Sequence, residues 1–428
     1  ANEGGSVTFR FVHAADIHLD SPLRSLAMRN PELAELIGNA TRKAFVRIID
    51  LCLAEQVDAL LIAGDLYDGD QSSMKTARFL AEQLRRLDQA GIRTFVIRGN
   101  HDAMSRITKE LVLPDSVKVF GGRAEALELP GPAGRVPIVL HGVSFAQPHA
   151  PESLLGKYRP PVEGAVNIGM LHTSLAGTPG HDLYAPCSLA DLRATGFRYW
   201  ALGHVHKRAV VDDGCLIAMP GMPQGRDINE AGPKSVSLVT VGDDRSITIE
   251  ERVTSVAQFE RVRVDATGME DWRELVSGVA RVLEATRSAV ESAHLVARLQ
   301  VVGATSLAWR IRRDMDLLKT EADDRAAVIG SCWVEKLEIA CQPPALPGET
   351  SGDPLTDLHR LIEEQILGSD AFAATLTGMA EEIRAQLPQE CRDVLGADED
   401  AFREHVARLA RDGAETVVAR LQAAGEEG

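Results

Sequence analysis

Paired cysteines, aromatic side chains, long apolar runs and a surplus of basic residues are all missing or scarce in this sequence, and each shortage excludes something. The six cysteines (Cys52, Cys187, Cys215, Cys332, Cys341 and Cys391) include no CxxC pair. That argues against a disulfide framework or a thiolate zinc site and suits a reducing cytoplasm. No uninterrupted apolar stretch approaches the roughly 18 residues of a membrane span, so no membrane segment is expected. Aromatics make up only 4% of the chain, too few for the stacking series that single-strand binders use. The opening ANEGGSV has neither a starting Met nor the charged-then-apolar pattern of a signal peptide; it reads as a processed or appended end and is set aside from fold reasoning.

Positive charge is short as well. The formal net charge is -16, and residues 345–428 carry 18 Asp/Glu against 7 Arg and no Lys. The acidity is therefore mostly a property of the tail. A chain of this sign lacks the broad basic face of a self-sufficient nucleic-acid binder. If it handles nucleic acid, bound cations or a partner must help.

At 428 residues the chain is too long for one compact core and implies two or three domains. From residue 7 to about 255, apolar strand-like runs alternate with amphipathic helical stretches, the pattern of an α/β domain. Strands are expected at Ala59–Ala63, Thr94–Arg98, Pro137–His141, Val166–Leu171 and Tyr199–Leu202. Phe45, Ile48, Ile49 and Cys52 form a helical stripe suited to packing on a sheet. Asp213-Gly214 suits a tight hairpin turn, and a second hairpin is expected within Ser235–Val253. Near residue 255 the pattern turns into a small α+β segment ending near Cys341. QPPALPGETSGDP then reads as a linker, with only helices beyond it. The stripes Phe372, Leu376, Met379, Ile383, Leu387 and Phe402, Val406, Ala410, Ala414, Val417, Leu421 either cap a core or offer a detached surface to a partner helix.

The chemistry lies at the strand ends. Asp16 and His18 follow the first strand, Asp65 and Asp68 the second, and Asn100, His101 and Asp102 the third. His172 follows a later strand, and His204 and His206 follow another. A single DxH or GD at such a place is usually an ordinary turn. Five such pieces in order are different, because open α/β sheets gather ligands at the carboxyl ends of their strands. Carboxylate, amide oxygen and imidazole without thiolate suit manganese, iron, zinc or magnesium. Two metals roughly 3.5–4 Å apart need one shared carboxylate. Asp65 is the natural bridge, since the glycine before it lets the turn come close to both. Such a pair polarises a phosphoryl oxygen and makes hydroxide available near neutral pH, which points to phosphate-ester hydrolysis.

DIH, GDLYD, GNHD, the lone His172 and GHVH resemble the five signatures of the calcineurin-like metallophosphoesterases. HAADIHLDSPL, HDLYAPC, YWALGHVH, PGMPQGR and EAGPKS are similar to the SbcD/YhaO-like DNA repair exonucleases within them. The signatures cover residues 10 to about 240; the later segments resemble the family only in order and size. The resemblance implies a β-sandwich flanked by helices over residues 7–258, a small α+β DNA-capping domain over 259–343, and a linker with a helical partner-binding region over 344–428. It assigns Asp16, His18, Asp65 and His206 to one metal, and Asp65, Asn100, His172 and His204 to the other, with manganese the favoured ion. His101 matches the leaving-group proton donor, with Asp102 expected to orient it. Asp68 stands where some relatives place a His, and Met222 where a small or polar residue is common.

Implied with the family are a DNA substrate, an SMC-like ATPase partner (SbcC or YhaN-like) and often a homodimer; a cytoplasmic location is expected from the scattered cysteines. Arg98, Lys207, Arg208, Arg226 and Lys234 are candidate phosphate contacts. His149 is expected on the surface, and His181 is divided between substrate contact and structural hydrogen bond. Two competing readings are a phosphoesterase acting on a small ester and a non-catalytic adaptor on this fold.

Overall fold

The apolar run FRFVHA forms β1 (Phe9–Ala14), and its alternation decides which side chain faces which layer. Phe9 and Phe11 point into the space between two sheets, whereas Val12 and Ala14 point toward helices. The structure, a computed structural model, describes residues 8–21, 31–67, 73–103, 113–129, 136–175, 184–344, 354–387, 395–396 and 398–426. Asp68, His181, Cys391 and residues 345–353 of the expected linker lie outside the described residues.

The first sheet has the order β12-β11-β1-β2-β3-β4. It contains β2 (Ala59–Ala63), β3 (Arg93–Ile97), β4 (Val117–Val119), β11 (Ser235–Val241) and β12 (Ile247–Val253). The second sheet has the order β5-β6-β7-β8-β10-β9. Its strands are β5 (Glu125–Leu129), β6 (Ile138–Gly142), β7 (Val166–His172), β8 (Tyr199–Gly203), β9 (Ala209–Asp212) and β10 (Leu216–Met219). Each sheet has a parallel centre, β1-β2-β3 in one and β6-β7-β8 in the other. Central parallel strands are buried on both faces and read as continuous apolar runs, which is why they were legible. The short β4 and the half-exposed EALEL of β5 lie at sheet edges and carry no such signal.

Helices cover the outer faces. After the short α1 (Pro31–Gly38), α2 (Ala40–Ala54) and α3 (Met74–Gln89) pack Phe45, Ile48, Ile49, Leu80 and Leu84 on the first sheet. Leu192 of α4 (Leu189–Ala194) joins Trp200 and Phe197 on the second. The Ser188 side chain caps α4 by accepting from the Asp191 amide, while Asp191 accepts from the Ser188 amide. The result is a β-sandwich flanked by helices, as the sequence implied.

The described chain divides into two compact units, Ala1–Glu260 with Arg287–Val296, and Arg261–Thr286 with Ala297–Gly428. The second is built on a three-stranded sheet of β13 (Ala257–Asp265), β14 (His294–Ala304) and β15 (Cys332–Gln342), with α5 (Trp272–Ala289), α6 (Ala308–Arg313) and α7 (Met315–Ile329). It also contains α8 (Pro354–Leu361), α9 (Asp370–Gln386) and α10 (Glu399–Glu426). The last helix is not detached. It packs along α6, where Arg312 forms an ion pair with Glu415, and it buries Phe402, Val406, Val418 and Ala419. Met379 and Ile383 of α9 remain more than half exposed.

Among the described residues no helix is long and apolar enough to cross a membrane. The five described cysteines are buried.

Candidate metal centre

The loops after β1, β2, β3, β7 and β8 leave the carboxyl ends of the two parallel centres and converge there. Three hydrogen bonds tie the sheets together at this point. His172, the last residue of β7, shares its Nδ1 proton with the Ala63 carbonyl of β2 at 2.9 Å. The His204 amide, just after β8, donates to both carboxylate oxygens of Asp16 at 3.0 Å. Convergence of distant loops is thus built into the backbone.

It also carries strain. Asp16, His18, Asp65 and His204 have φ of 51°, 45°, 50° and 103°, in the left-handed region that side chains other than glycine avoid. Each such residue costs on the order of 1–3 kcal/mol and persists only where its surroundings over-determine it. Gly64 has φ +97°, and a Cβ there would fall 2.3 Å from His172 Nδ1. The glycine before Asp65 therefore serves the close packing of the His172 ring as well as the turn.

Two groups of ligand atoms result, Asp16, His18 and His206 in one and Asp65, His172 and His204 in the other, each with all its atoms within 4.8 Å of one another. Asn100 belongs with the second group. Its Oδ1 lies 3.1 Å from His172 Nε2 and 3.3 Å from His204 Nδ1, and Asp65 Oδ2 lies 3.3 Å from the same His172 Nε2. In the first group His18 Nε2 faces His206 Nε2 at 3.2 Å.

These atoms fit divalent cations. With its Nδ1 proton engaged by Ala63, neutral His172 turns an Nε2 lone pair toward two oxygen acceptors. Lone pairs crowded in this way need positive charge between them. Burial works against a charged His172, yet the neighbouring Asp65 carboxylate outweighs it and raises the imidazole above its ordinary range. Carboxylate, amide and imidazole donors in two adjacent groups constitute a dinuclear divalent metal centre.

His101 and Asp102 behave differently from each other. The His101 amide donates to Asp65 Oδ1 at 3.0 Å, and its exposed side chain carries a ring 5.0 Å from that of His18, edge to face. Asp102, expected to orient His101, directs its carboxylate elsewhere. Its Oδ1 accepts from the Gly99 amide at 2.6 Å and its Oδ2 from the Leu66 amide at 3.0 Å. Burial and the charge of Asp65 push the Asp102 carboxyl up to about 7. Its contacts brace the loops after β2 and β3, because two backbone N–H groups in a closed pocket need an acceptor that a ring does not supply.

The basic candidates divide too. Arg208 donates to Ser237 Oγ at 2.7 Å, and Arg226 is engaged with Glu230 and Ser21. Lys234 is buried with its amine on the Ala231 carbonyl. Lys207 is exposed, and the buried Arg98 Nε has no hydrogen-bond partner among the described residues. Met222 is fully buried, its amide donating to the His206 carbonyl.

Two neighbours of the centre escaped the sequence. Glu230 accepts from His206 Nδ1 at 3.0 Å. Burial opposes its charge, but the bonds from His206 and Arg226 hold its carboxyl well below the usual range. Tyr184 places its ring 4.9 Å from that of His204, and the ring of exposed His149 is parallel to it with centroids 6.2 Å apart. The only available signals were an acid four residues after Arg226 and an aromatic in HDLYAPC.

Comparison with known proteins agrees with this geometry. Residues 9–208 match the calcineurin-like phosphoesterase family, and residues 259–342 match the middle domain of metallophosphoesterase YhaO. The uncharacterized metallophosphoesterase YhaO of Bacillus subtilis (strain 168) is 35% identical over 258 residues, 60% of this chain and 63% of that protein. The DNA double-strand break repair protein Mre11 of Sulfurisphaera tokodaii is 28% identical over 220 residues, 50% of this chain and 54% of its own. That of Haloferax volcanii is 25% identical over 409 residues, 92% of this chain and 83% of its own. The chain thus spans between half and two thirds of the first two relatives.

Proposed function

We propose that the calcineurin-like phosphoesterase domain carried by residues 9–208 hydrolyses phosphodiester bonds of DNA, as the nuclease of a repair complex. The observation that carries this is the juxtaposition of two ligand groups at one sandwich edge with His101 alongside. Similarity to proteins named for double-strand break repair supports the choice of substrate.

In this reading Asp16, His18, Asp65 and His206 hold one divalent ion, and Asp65, Asn100, His172 and His204 the other, manganese being the favoured metal. Such a pair supplies polarisation of a phosphoryl oxygen and a hydroxide nucleophile near neutral pH. The protein's own part is to fix the ligands. Ala63 sets the tautomer of His172, and the His204 amide holds both oxygens of Asp16. His101, which belongs to neither ligand group, delivers a proton to the departing 3' oxygen. The fixed positive charge of two ions also attracts a DNA backbone that this acidic chain would otherwise repel.

In the same reading the segment over residues 259–342 is a DNA-capping domain, the C-terminal helices engage an SMC-like ATPase of the SbcC or YhaN-like kind, and a homodimer forms through the nuclease domain. The test uses the full chain with manganese on linear duplex DNA, single-stranded DNA and a chromogenic phosphodiester. DNA cleavage abolished by chelator and by His101→Ala is expected. Hydrolysis of the small ester with DNA left intact overturns the substrate assignment.

A further inference from the structure

One imidazole in each ligand group is oriented by a different kind of partner. His172 gives its Nδ1 proton to a neutral carbonyl, that of Ala63, at 2.9 Å. His206 gives its own to an anion, the Glu230 carboxylate, at 3.0 Å. A carboxylate behind an imidazole makes the opposite ring nitrogen more basic than a carbonyl does, and it fixes the tautomer more firmly.

Glu230 is itself held with little freedom. Arg226 donates to it three times, from its backbone amide to Oε2 at 2.7 Å, from Nη2 to Oε1 at 2.7 Å and from Nε to Oε2 at 3.3 Å. The remaining Arg226 nitrogen, Nη1, reaches Ser21 Oγ at 3.2 Å, so the clamp extends to the loop that carries His18. Glu230 ends a short 3-10 turn, Ile228–Glu230, whose start is capped by Asp227 accepting from the Asn229 amide at 2.7 Å. A Cβ at Gly225 would fall 2.8 Å from the Glu230 carbonyl, so this approach requires the glycine. An i,i+4 ion pair that only closed a loop would not need to direct one oxygen at a metal-ligand ring.

We propose that Glu230 is a positioning residue for the metal held by Asp16, His18 and His206, clamped by Arg226, and that it makes this group bind divalent cations more tightly than the Asp65, Asn100, His172 and His204 group. The inference rests on the dinuclear reading above. Its test counts ions instead of following turnover.

Manganese alone is titrated into the metal-free full chain, and free manganese is read by electron paramagnetic resonance. Two ions bound by the unaltered protein, one more tightly than the other, are expected. Glu230→Ala is expected to weaken the tighter ion about ten- to a hundredfold and leave the other unchanged. Glu230→Gln, which keeps size and an acceptor oxygen but loses the charge, should fall between the two and is the informative variant if Glu230→Ala does not fold. Unchanged affinities in a folded variant, or equal weakening of both ions, overturn the proposal, the second outcome marking a merely structural role. Fewer than two ions in the unaltered protein would instead overturn the dinuclear reading.

Discussion

Asp102 and Leu66, 36 residues apart in the chain, are joined by a buried hydrogen bond of 3.0 Å from the Leu66 amide to Asp102 Oδ2, while Oδ1 takes the Gly99 amide at 2.6 Å. One carboxylate thus fastens the loop after β2 to the loop after β3. Removing it leaves two buried donors unpaired, each of which costs about 1–3 kcal/mol. Asp102→Ala should therefore lower unfolding stability by several kcal/mol, measured by denaturant titration of the metal-free protein. Loss of turnover with stability unchanged would return Asp102 to the role of orienting His101.

His101→Ala makes the opposite separation. Because its ring belongs to neither ligand group, two ions should remain by metal analysis while DNA cleavage falls by about a hundred- to ten-thousandfold, the usual contribution of a positioned general acid. A variant that loses metal as well would mean that the ring ligates.

In the proposed reading Asp65 is shared by both ions, so Asp65→Ala should empty the centre. Bound ions stabilise only the folded state, so chelation should lower the melting temperature of the unaltered protein and leave that of the variant nearly unmoved. Scanning calorimetry with and without chelator decides it.

His13 gives a pH dependence. It lies between the sheets, with Nδ1 3.0 Å from the Tyr199 hydroxyl and Nε2 3.0 Å from the Leu202 carbonyl. Burial lowers its pKa from 6.5 to about 3. Between those values the unfolded chain binds the proton and the folded one does not. The stability contribution of neutral His13 is therefore full above pH 6.5 and falls by up to about 1.4 kcal/mol per pH unit toward pH 3. His13→Gln should be destabilised at pH 7, and the gap to the unaltered protein should narrow by pH 4. A gap independent of pH in denaturant melts would refute this.

For the proposed ATPase partner, Ile383→Glu is a finer test than removing residues 350–428. The deletion would strip buried Phe402, Val406, Val418 and Ala419 and leave Arg312 without Glu415. Ile383 is 58% exposed, so the point change should spare stability and abolish co-purification with the ATPase. Undiminished co-purification would move the contact to another face.

Much of this protein was legible in one dimension. Buried parallel strands must be continuous apolar runs, so β2, β7 and β8 announced themselves, and ligands at their ends had to be polar residues in loops where polarity otherwise has no reason to cluster. What the order of residues determined was therefore the layered fold and which polar side chains the strand-end loops bring together. Only the tertiary structure decided the partners behind it: that Asp102 faces two amides instead of the His101 ring, that Glu230 stands behind His206, and that α10 packs along α6. Hydrogen-bond direction depends on which backbone groups a loop leaves unpaired once the sheets have met, and helix packing depends on which apolar face finds a matching surface. Neither is a property of spacing along the chain.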